Sequence, residues 1–505
     1  MANRVAVAAS NPLAVDAALR LAQDGGNAVD AGLAAILVAM VCEPGICSPA
    51  GGAFVMVAPA DGSAAVTVDG NVEMPGRGLP PEVFGRGLRE VTTSYGGGLT
   101  MHIGHASVAT PGALAALDAA SRTYGRAPWR EIVAPAVAAA RDGFPLGSAS
   151  AYYLGMVHDS VYDWHPGSQA ALYDAGELRQ AGDIMVVEHL ADSLQLIAEE
   201  GAAALYTGDL AARIAADMAE YGGLLTAADL AAFRPVVRPA LTVAYADWVF
   251  ATNPPPSIGG TALAAMLTLM AELPADDLAA LAAVQDGVLG YRLAHLDVTE
   301  DRAAAAYRLL DLVGTGGLAS LGGAASTVHV SVVDAEGGAC AVTSSAGYGS
   351  GVMTPGTGLW LNNCLGEPEL NRGGGHALDP GERLPSNMAP TVGRTTAGDV
   401  LAIGSPGADR ITTALLQVLV GFAGAGLDLD AAIARPRLHV TRQNETTLVQ
   451  YEDDLTLPDL PWPARSHGPA SMYFGGVGAA LRTAAGDLHA AGDPRRNSAA
   501  AVGPD

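Results

Sequence analysis

The apolar positions of this chain change their spacing along its length, and each spacing predicts an element. Asn11-Pro12 opens a helical pattern that runs to about Asp24 and stops at Gly25-Gly26: a cap, a first-turn proline and a glycine stop. Asn27 caps a second helix, with Asp30 in its first turn, where a carboxylate suits the helix dipole. Ala53 to Ala58 and Ala64 to Asp69 read as paired strands around Asp61-Gly62. From Ala113 to about Leu230 the pattern is mostly helical and alanine-rich; Pro254-Pro-Pro-Ser-Ile-Gly-Gly260 is a rigid loop, and helices follow as far as Leu310. Val313 to Ala325, rich in Gly, Ala and Ser, predicts an exposed linker. Thr327 then begins an alternating run to Asp334, which reads as a strand. A turn at Asp334-Ala-Glu-Gly-Gly338 and a second strand, Ala339 to Thr343, complete a hairpin. Beyond it the chain is strand-rich, then helical from Arg410 to Phe422.

Composition narrows the picture. The chain has 505 residues, half of them apolar and 16% charged, as in a globular protein with a large core. A formal net charge of −25 argues against nucleic acid or an anionic membrane as partner. All 27 basic residues are arginine, which excludes a Schiff-base lysine, a pyridoxal-phosphate anchor and a P-loop lysine. Cys42, Cys47, Cys340 and Cys364 have neither CxxC spacing nor the density of a disulfide scaffold; Cys42 and Cys47 are close enough in sequence to pair, but buried free thiols are expected. The first residues lack a signal-peptide apolar core, and the longest apolar run, Ala31 to Cys42, is too short to span a membrane, so a cytoplasmic location is expected. No G-x-S-x-G elbow, HExxH or dinucleotide fingerprint is present.

The chemistry concentrates at Thr327. A threonine hydroxyl alone is a poor nucleophile, because nothing nearby takes its proton. Cutting the chain before it would free an α-amine on the same residue, whose pKa of about 7.7–8.0 suits a general base. Ser326-Thr327, between a small-residue linker and a strand, has the form of such a cleavage site and nucleophile.

Segments in order along the chain extend this reading. Gly25-Gly-Asn-Ala-Val-Asp-Ala31, Trp129-Arg-Glu-Ile-Val-Ala-Pro-Ala136, Gly143-Phe-Pro145, Pro254 to Gly260, Thr327 to Asp334, Leu361-Asn-Asn363 and Gly404-Ser-Pro-Gly407 resemble the signatures of the γ-glutamyltranspeptidase family of N-terminal-nucleophile hydrolases. The resemblance implies an α/β, four-layer αββα sandwich and a zymogen that cuts itself before Thr327. It also implies a large subunit, 1–326, and a small one, 327–505, forming one αββα unit, with a small-molecule substrate and neither cofactor nor metal. Thr327 would be the nucleophile. Thr343, ending the second strand, either hydrogen-bonds the Thr327 hydroxyl or is a bland surface residue. The backbone N–H groups at Gly407 and Ala408 would form the oxyanion hole, at a helix entrance suited to an anion. Ala408 stands where the family has glycine. Asn362 and Asn363 either support the site or are satisfied structural amides, and His329 reads as structural.

The departures fall on the substrate's head group. In the family an arginine grips the substrate's α-carboxylate, in a segment that here reads Asn71-Val72-Glu73-Met74-Pro75; Val72 replaces the arginine, and Arg77 is the nearby candidate to compensate. Of two carboxylate-binding serines, Ser386 is retained and Asn387 is changed. The ammonium-binding segment reads Asn362-Asn-Cys-Leu-Gly-Glu367, which keeps a carboxylate at Glu367 and puts Cys364 in place of glutamine. The family's asparagine shortly after Thr343 is missing from Ser345-Ala346-Gly347. A lost bidentate arginine removes a clamp worth roughly 2–5 kcal/mol when buried. The leading expectation is hydrolysis of an amide or other acyl compound outside the ordinary γ-glutamyl peptides. Oxamate-like amides, and the oxalyl-type C–C cleavage of relatives in actinobacterial alkylproline antibiotic pathways, both fit. A true glutathione hydrolase or transpeptidase anchored by Arg77 is the second reading. An uncleaved, non-catalytic binding homologue is the third.

Overall fold

Two antiparallel sheets, each sending its larger side chains to one face, form the middle of the structure. The computed structural model describes residues 2–95, 98–299, 301–314, 327–443, 446–496 and 498–504. The first sheet contains β1 (Val5–Ala9), β2 (Gly52–Ala58), β3 (Val66–Gly70) and β4 (Val236–Pro239). The second opens with β5 (Leu241–Tyr245) and β6 (Trp248–Thr252). The expected hairpin, β7 (Val328–Asp334) and β8 (Ala339–Ser345), returns to the first sheet. Then β9 (Thr391–Thr395), β10 (Val400–Gly404), β11 (Gly478–Arg482) and β12 (Leu488–Gly492) complete the second, and β13 (Ala499–Gly503) the first. The orders are β4-β3-β2-β8-β7-β1-β13 and β5-β6-β9-β10-β11-β12.

Period-two patterning sets the layers. In β7, Val328, Val330 and Val332 pack into the helix-covered core, while Val333 lies in the layer between the sheets. That inner layer is filled mainly by small residues, among them Ala6, Ala58, Ala341, Ala402 and Ala480. Outside the first sheet lie α1 (Pro12–Gln23), α2 (Ala28–Cys42), α3 (Ala113–Tyr124) and α4 (Trp129–Asp142). Outside the second lie α5 (Ile258–Met270), α6 (Leu278–Tyr291), α7 (Arg302–Gly314) and α8 (Arg410–Leu419). The result is the four-layer αββα sandwich.

Local chemistry explains the helix starts. Asn11 accepts the Ala14 N–H at 2.9 Å, and Asn27 with Asp30 forms a reciprocal capping box. Asp334, in the hairpin turn, accepts from the N–H groups of Gly338 and Ala28, tying the hairpin to the start of α2. One expectation needs correction. The linker begins later than Val313, because Val313 is buried as part of α7; residues 315–326, Ser326 included, lie outside the described residues. The alanine-rich stretch is mostly helical, as expected, and includes two short strand pairs, 144–145 with 184–185 and 173–174 with 177–178. Among the described residues no helix is long and apolar enough to cross a membrane.

Candidate active site

Thr327 immediately precedes β7, in the middle of the first sheet, and only 3% of its surface is exposed. Val328 pairs with Ser344, and Ser345 pairs with Gly52, so three neighbouring strands bring Thr327, Ser345 and Gly52 to one end of the sheet. These residues line a cavity of about 30 Å³ together with Val72, Cys364, Glu367, Ser386, Asn387 and Ala408. A second hollow of about 20 Å³ meets Thr327 from the side of Glu43 and Arg496. It has room for a water molecule.

The turn after β10 carries the proposed oxyanion donors. Gly407 has φ +120° and Ala408 φ +67°, and the carbonyls of both are bonded by the first residues of α8, at 3.0 Å each. Among the described residues neither N–H has an acceptor, which leaves both donors for an incoming oxyanion. A Cβ on Gly407 would come within 2.9 Å of the Gly475 Cα, so glycine is required there by close approach as well as by φ. Ala408 holds a left-handed conformation despite its Cβ, a strain of about 1–2 kcal/mol.

Thr343 is fully buried, which removes the surface-residue reading. Its register partner is His329, and its hydroxyl lies 2.8 Å from the His329 Nδ1. The His329 Nε2 lies 2.7 Å from the Ser331 hydroxyl, which donates to the Gly478 carbonyl at 3.0 Å. With the Ser331 proton committed to that carbonyl, Nε2 must be the donating nitrogen, and Thr343 therefore gives its proton to Nδ1. The Thr343 oxygen keeps its lone pairs for a further donor. Burial pushes the His329 ring down to about 3, so it stays neutral, and Gly404 leaves space for it where a Cβ would clash.

One part of the cavity wall is apolar. Val72 and Cys364 fall in one small buried cluster with Met74, Ala109 and Leu384. Burial, then the neighbouring Glu369, pushes the Glu367 carboxyl well above its ordinary range; Glu369 itself is raised to about 7 and accepts from Tyr348 at 2.6 Å. Arg77 does not line the cavity; its guanidinium pairs with Asp229 at 3.4 Å and Glu73 at 3.6 Å. The Ser386 carbonyl accepts the N–H groups of Ile258 and Gly259, which seats the proline loop and the start of α5 beside the site. Asn363 accepts the Tyr348 N–H at 2.6 Å, and Asn362 bridges Ala50, Ala109 and Cys364, so both amides hold the loop in place.

Sequence reasoning missed the charged group behind the turn at Gly407 and Ala408, into which Asn387 is tied. Asp409 Oδ1 accepts from Arg292 Nη1 and from Asn387 Nδ2, both at 2.7 Å, and Arg292 also pairs with Asp297 at 3.0 Å. All four side chains are buried. Asp409 directly follows Ala408 in the sequence, a local signal that charge is placed at the turn.

A family model described as γ-glutamyltranspeptidase matches residues 14–293 and 300–503. The glutathione hydrolase proenzyme of Escherichia coli (strain K12) is 30% identical over 474 residues, covering 86% of this chain and 80% of that one. The acylase ACY 1 proenzyme of Pseudomonas sp. (strain V22) is also 30% identical over 474 residues, covering 86% and 82%. A solved cephalosporin acylase from Bacillus halodurans superposes with a TM-score of 0.82 over 99% of this chain and 96% of that one, at 24% identity, and so shares the fold. Matches of this length to a family model and to two hydrolytic enzymes leave one assignment: the chain belongs to the γ-glutamyltranspeptidase family and is a hydrolytic enzyme.

Proposed function

We propose that the chain cuts itself before Thr327 and then works as an acylase whose substrate lacks the γ-glutamyl head group. In maturation the Thr327 hydroxyl attacks the Ser326 carbonyl, the peptide shifts from nitrogen to oxygen, and water hydrolyses the ester. The products are residues 1–326 and a fragment starting with the free amine of Thr327. In turnover that amine takes the hydroxyl proton while Oγ1 attacks the substrate carbonyl, and the N–H groups of Gly407 and Ala408 receive the developing negative charge. The leaving group departs with the proton. Water, for which the hollow beside Glu43 has room, then releases the acid. The proenzyme names of the relatives support the maturation step.

The observation that carries the substrate reading is the pairing of Val72 with Cys364 in one apolar cluster on the cavity wall. Val72 offers no charge where an α-carboxylate would be gripped, the Cys364 thiol is engaged by Glu367, and Arg77 is held by Asp229 and Glu73. A site built on polar recognition rejects ligands strongly when its partners are missing. The small cavity suits a compact acyl group, oxalyl among them. The test compares γ-glutamyl, oxalyl and short aliphatic acyl anilides, with intact-mass analysis of the protein. A fragment beginning at Thr327, with faster release from a non-glutamyl anilide, is expected. An uncut protein, or glutathione turnover at kcat/KM of about 10⁴ M⁻¹s⁻¹ or more, overturns the reading.

A further inference from the structure

A cavity of about 670 Å³ opens in the helical lobe, and none of its lining residues lines the nucleophile's cavity. This is the size of small-molecule sites, which run from about 300 to 1,000 Å³. Its walls come from His105, from the segment Trp164 to Ala171, from Val186 to His189, from the end of the helix Asp209–Tyr221 and from the loop Met353 to Gly358.

Aromatic rings meet here. His105 stacks on Tyr221, with centroids 5.0 Å apart and planes at 26°, and Trp164 stands edge-on to His165 at 5.4 Å. Tyr221 is 60% exposed, although a large ring is ordinarily covered. Among the described residues, two buried nitrogens lack hydrogen-bond partners: His105 Nε2 and His165 Nδ1, in residues only 7% and 9% exposed. Buried polar atoms are nearly always paired, so this wall has unmet bonding capacity. Asp217 lies beside them. Its Oδ2 accepts from Thr354 at 3.3 Å, but its Oδ1 is 3.6 Å from His105 Nε2, too far for a hydrogen bond. Glu188 adds a second carboxylate, and no arginine is among the described lining residues. Burial favours the neutral His165 ring, which then offers a lone pair.

We propose that this cavity binds a flat aromatic amine, its ring against Trp164, His105 and Tyr221 and its ammonium group facing Asp217. Asp217 and Glu188 favour a cationic group in the cavity, with Arg89 over the Trp164 ring at 5.6 Å and Arg213 on the Gly356 carbonyl at 3.3 Å at its edges, and His165 Nδ1 favours a ligand that brings an N–H donor. The site is independent of the acyl chemistry at Thr327.

Calorimetric titration of the full chain with tryptamine, and with indole as the uncharged control, tests this directly. One tryptamine site with a Kd below about 1 mM is expected, with indole at least tenfold weaker. Ala170→Trp, at an exposed residue on the rim, fills the space and should weaken tryptamine at least about tenfold with unchanged thermal stability. Asp217→Asn should weaken tryptamine alone. No heat with millimolar tryptamine, binding that survives Ala170→Trp, or indole binding as tightly as tryptamine would each overturn the proposal. The indole comparison uses the unaltered protein and decides the point even where Asp217→Asn fails to fold.

Discussion

At Ala408 the chain accepts a strained backbone, and in the proposed mechanism that strain aims an N–H at the oxyanion. Its family glycine would hold φ +67° without a Cβ, so Ala408→Gly should keep turnover within a few-fold and stabilise the fold. Relief of about 1–2 kcal/mol of left-handed strain, less glycine's entropy of about 0.5–1 kcal/mol, leaves a gain of up to about 1.5 kcal/mol in denaturant unfolding. Gly407→Val is the opposite case. Its Cβ would press on Gly475 and displace the donor, so kcat should fall on the order of 10²–10³ and the fold should weaken too. The same turn shows where sequence reading stops. Gly404-Ser-Pro-Gly407 marked the turn, but the φ of Ala408 follows from the fit of β10 against β11 and α8. Thr343 is similar: its place on β8 was legible, while its commitment to His329 depends on strand register that alternation alone does not fix.

At the scale of elements, caps and alternation were legible because they are local: Asn11, Asn27 and the hairpin at Asp334 each write their structure within a few residues. The grouping of the replaced positions was legible, and Val72, Cys364, Glu367, Ser386 and Asn387 do line one cavity. The brace behind α8 was not, because Arg292 and Asp409 are separated by 117 positions and neither carries a motif. That brace joins α6, the oxyanion turn and the segment around Asn387, so its loss should act on both stability and turnover. Arg292→Met leaves Asp409 buried without its cation and should cost about 3–5 kcal/mol, measured by denaturant unfolding. Adding Asp409→Leu should restore much of that stability while kcat stays low, because the turn has lost its anchor. A double variant with normal kcat would mean that the brace serves folding alone.

For the whole molecule, buried acid sets a pH window. Glu369 is raised from 4.5 to about 7 by burial, so its folded form prefers to keep a proton that the unfolded chain gives up. The stability it permits is fully present below about pH 4.5 and is lost as pH rises through about 7. Glu369→Gln should therefore lose less stability across that interval than the unaltered protein, by on the order of 1–3 kcal/mol, read from melts at stepped pH. The order of the first sheet has a different consequence. A break before Thr327 would assign β4, β3 and β2 to one piece, β8 and β7 to the other, β1 to the first again and β13 to the second. The two polypeptides would be woven through each other like the fingers of clasped hands, with the new terminus at the centre of the clasp. Such pieces do not come apart by dilution and should co-elute on gel filtration even at nanomolar concentration. Nor should they find each other if made separately, since each lacks the strands that template its own. Weaving has to come before cutting: the single chain acts as a jig that sets the strand order once, and the cut then makes that order permanent.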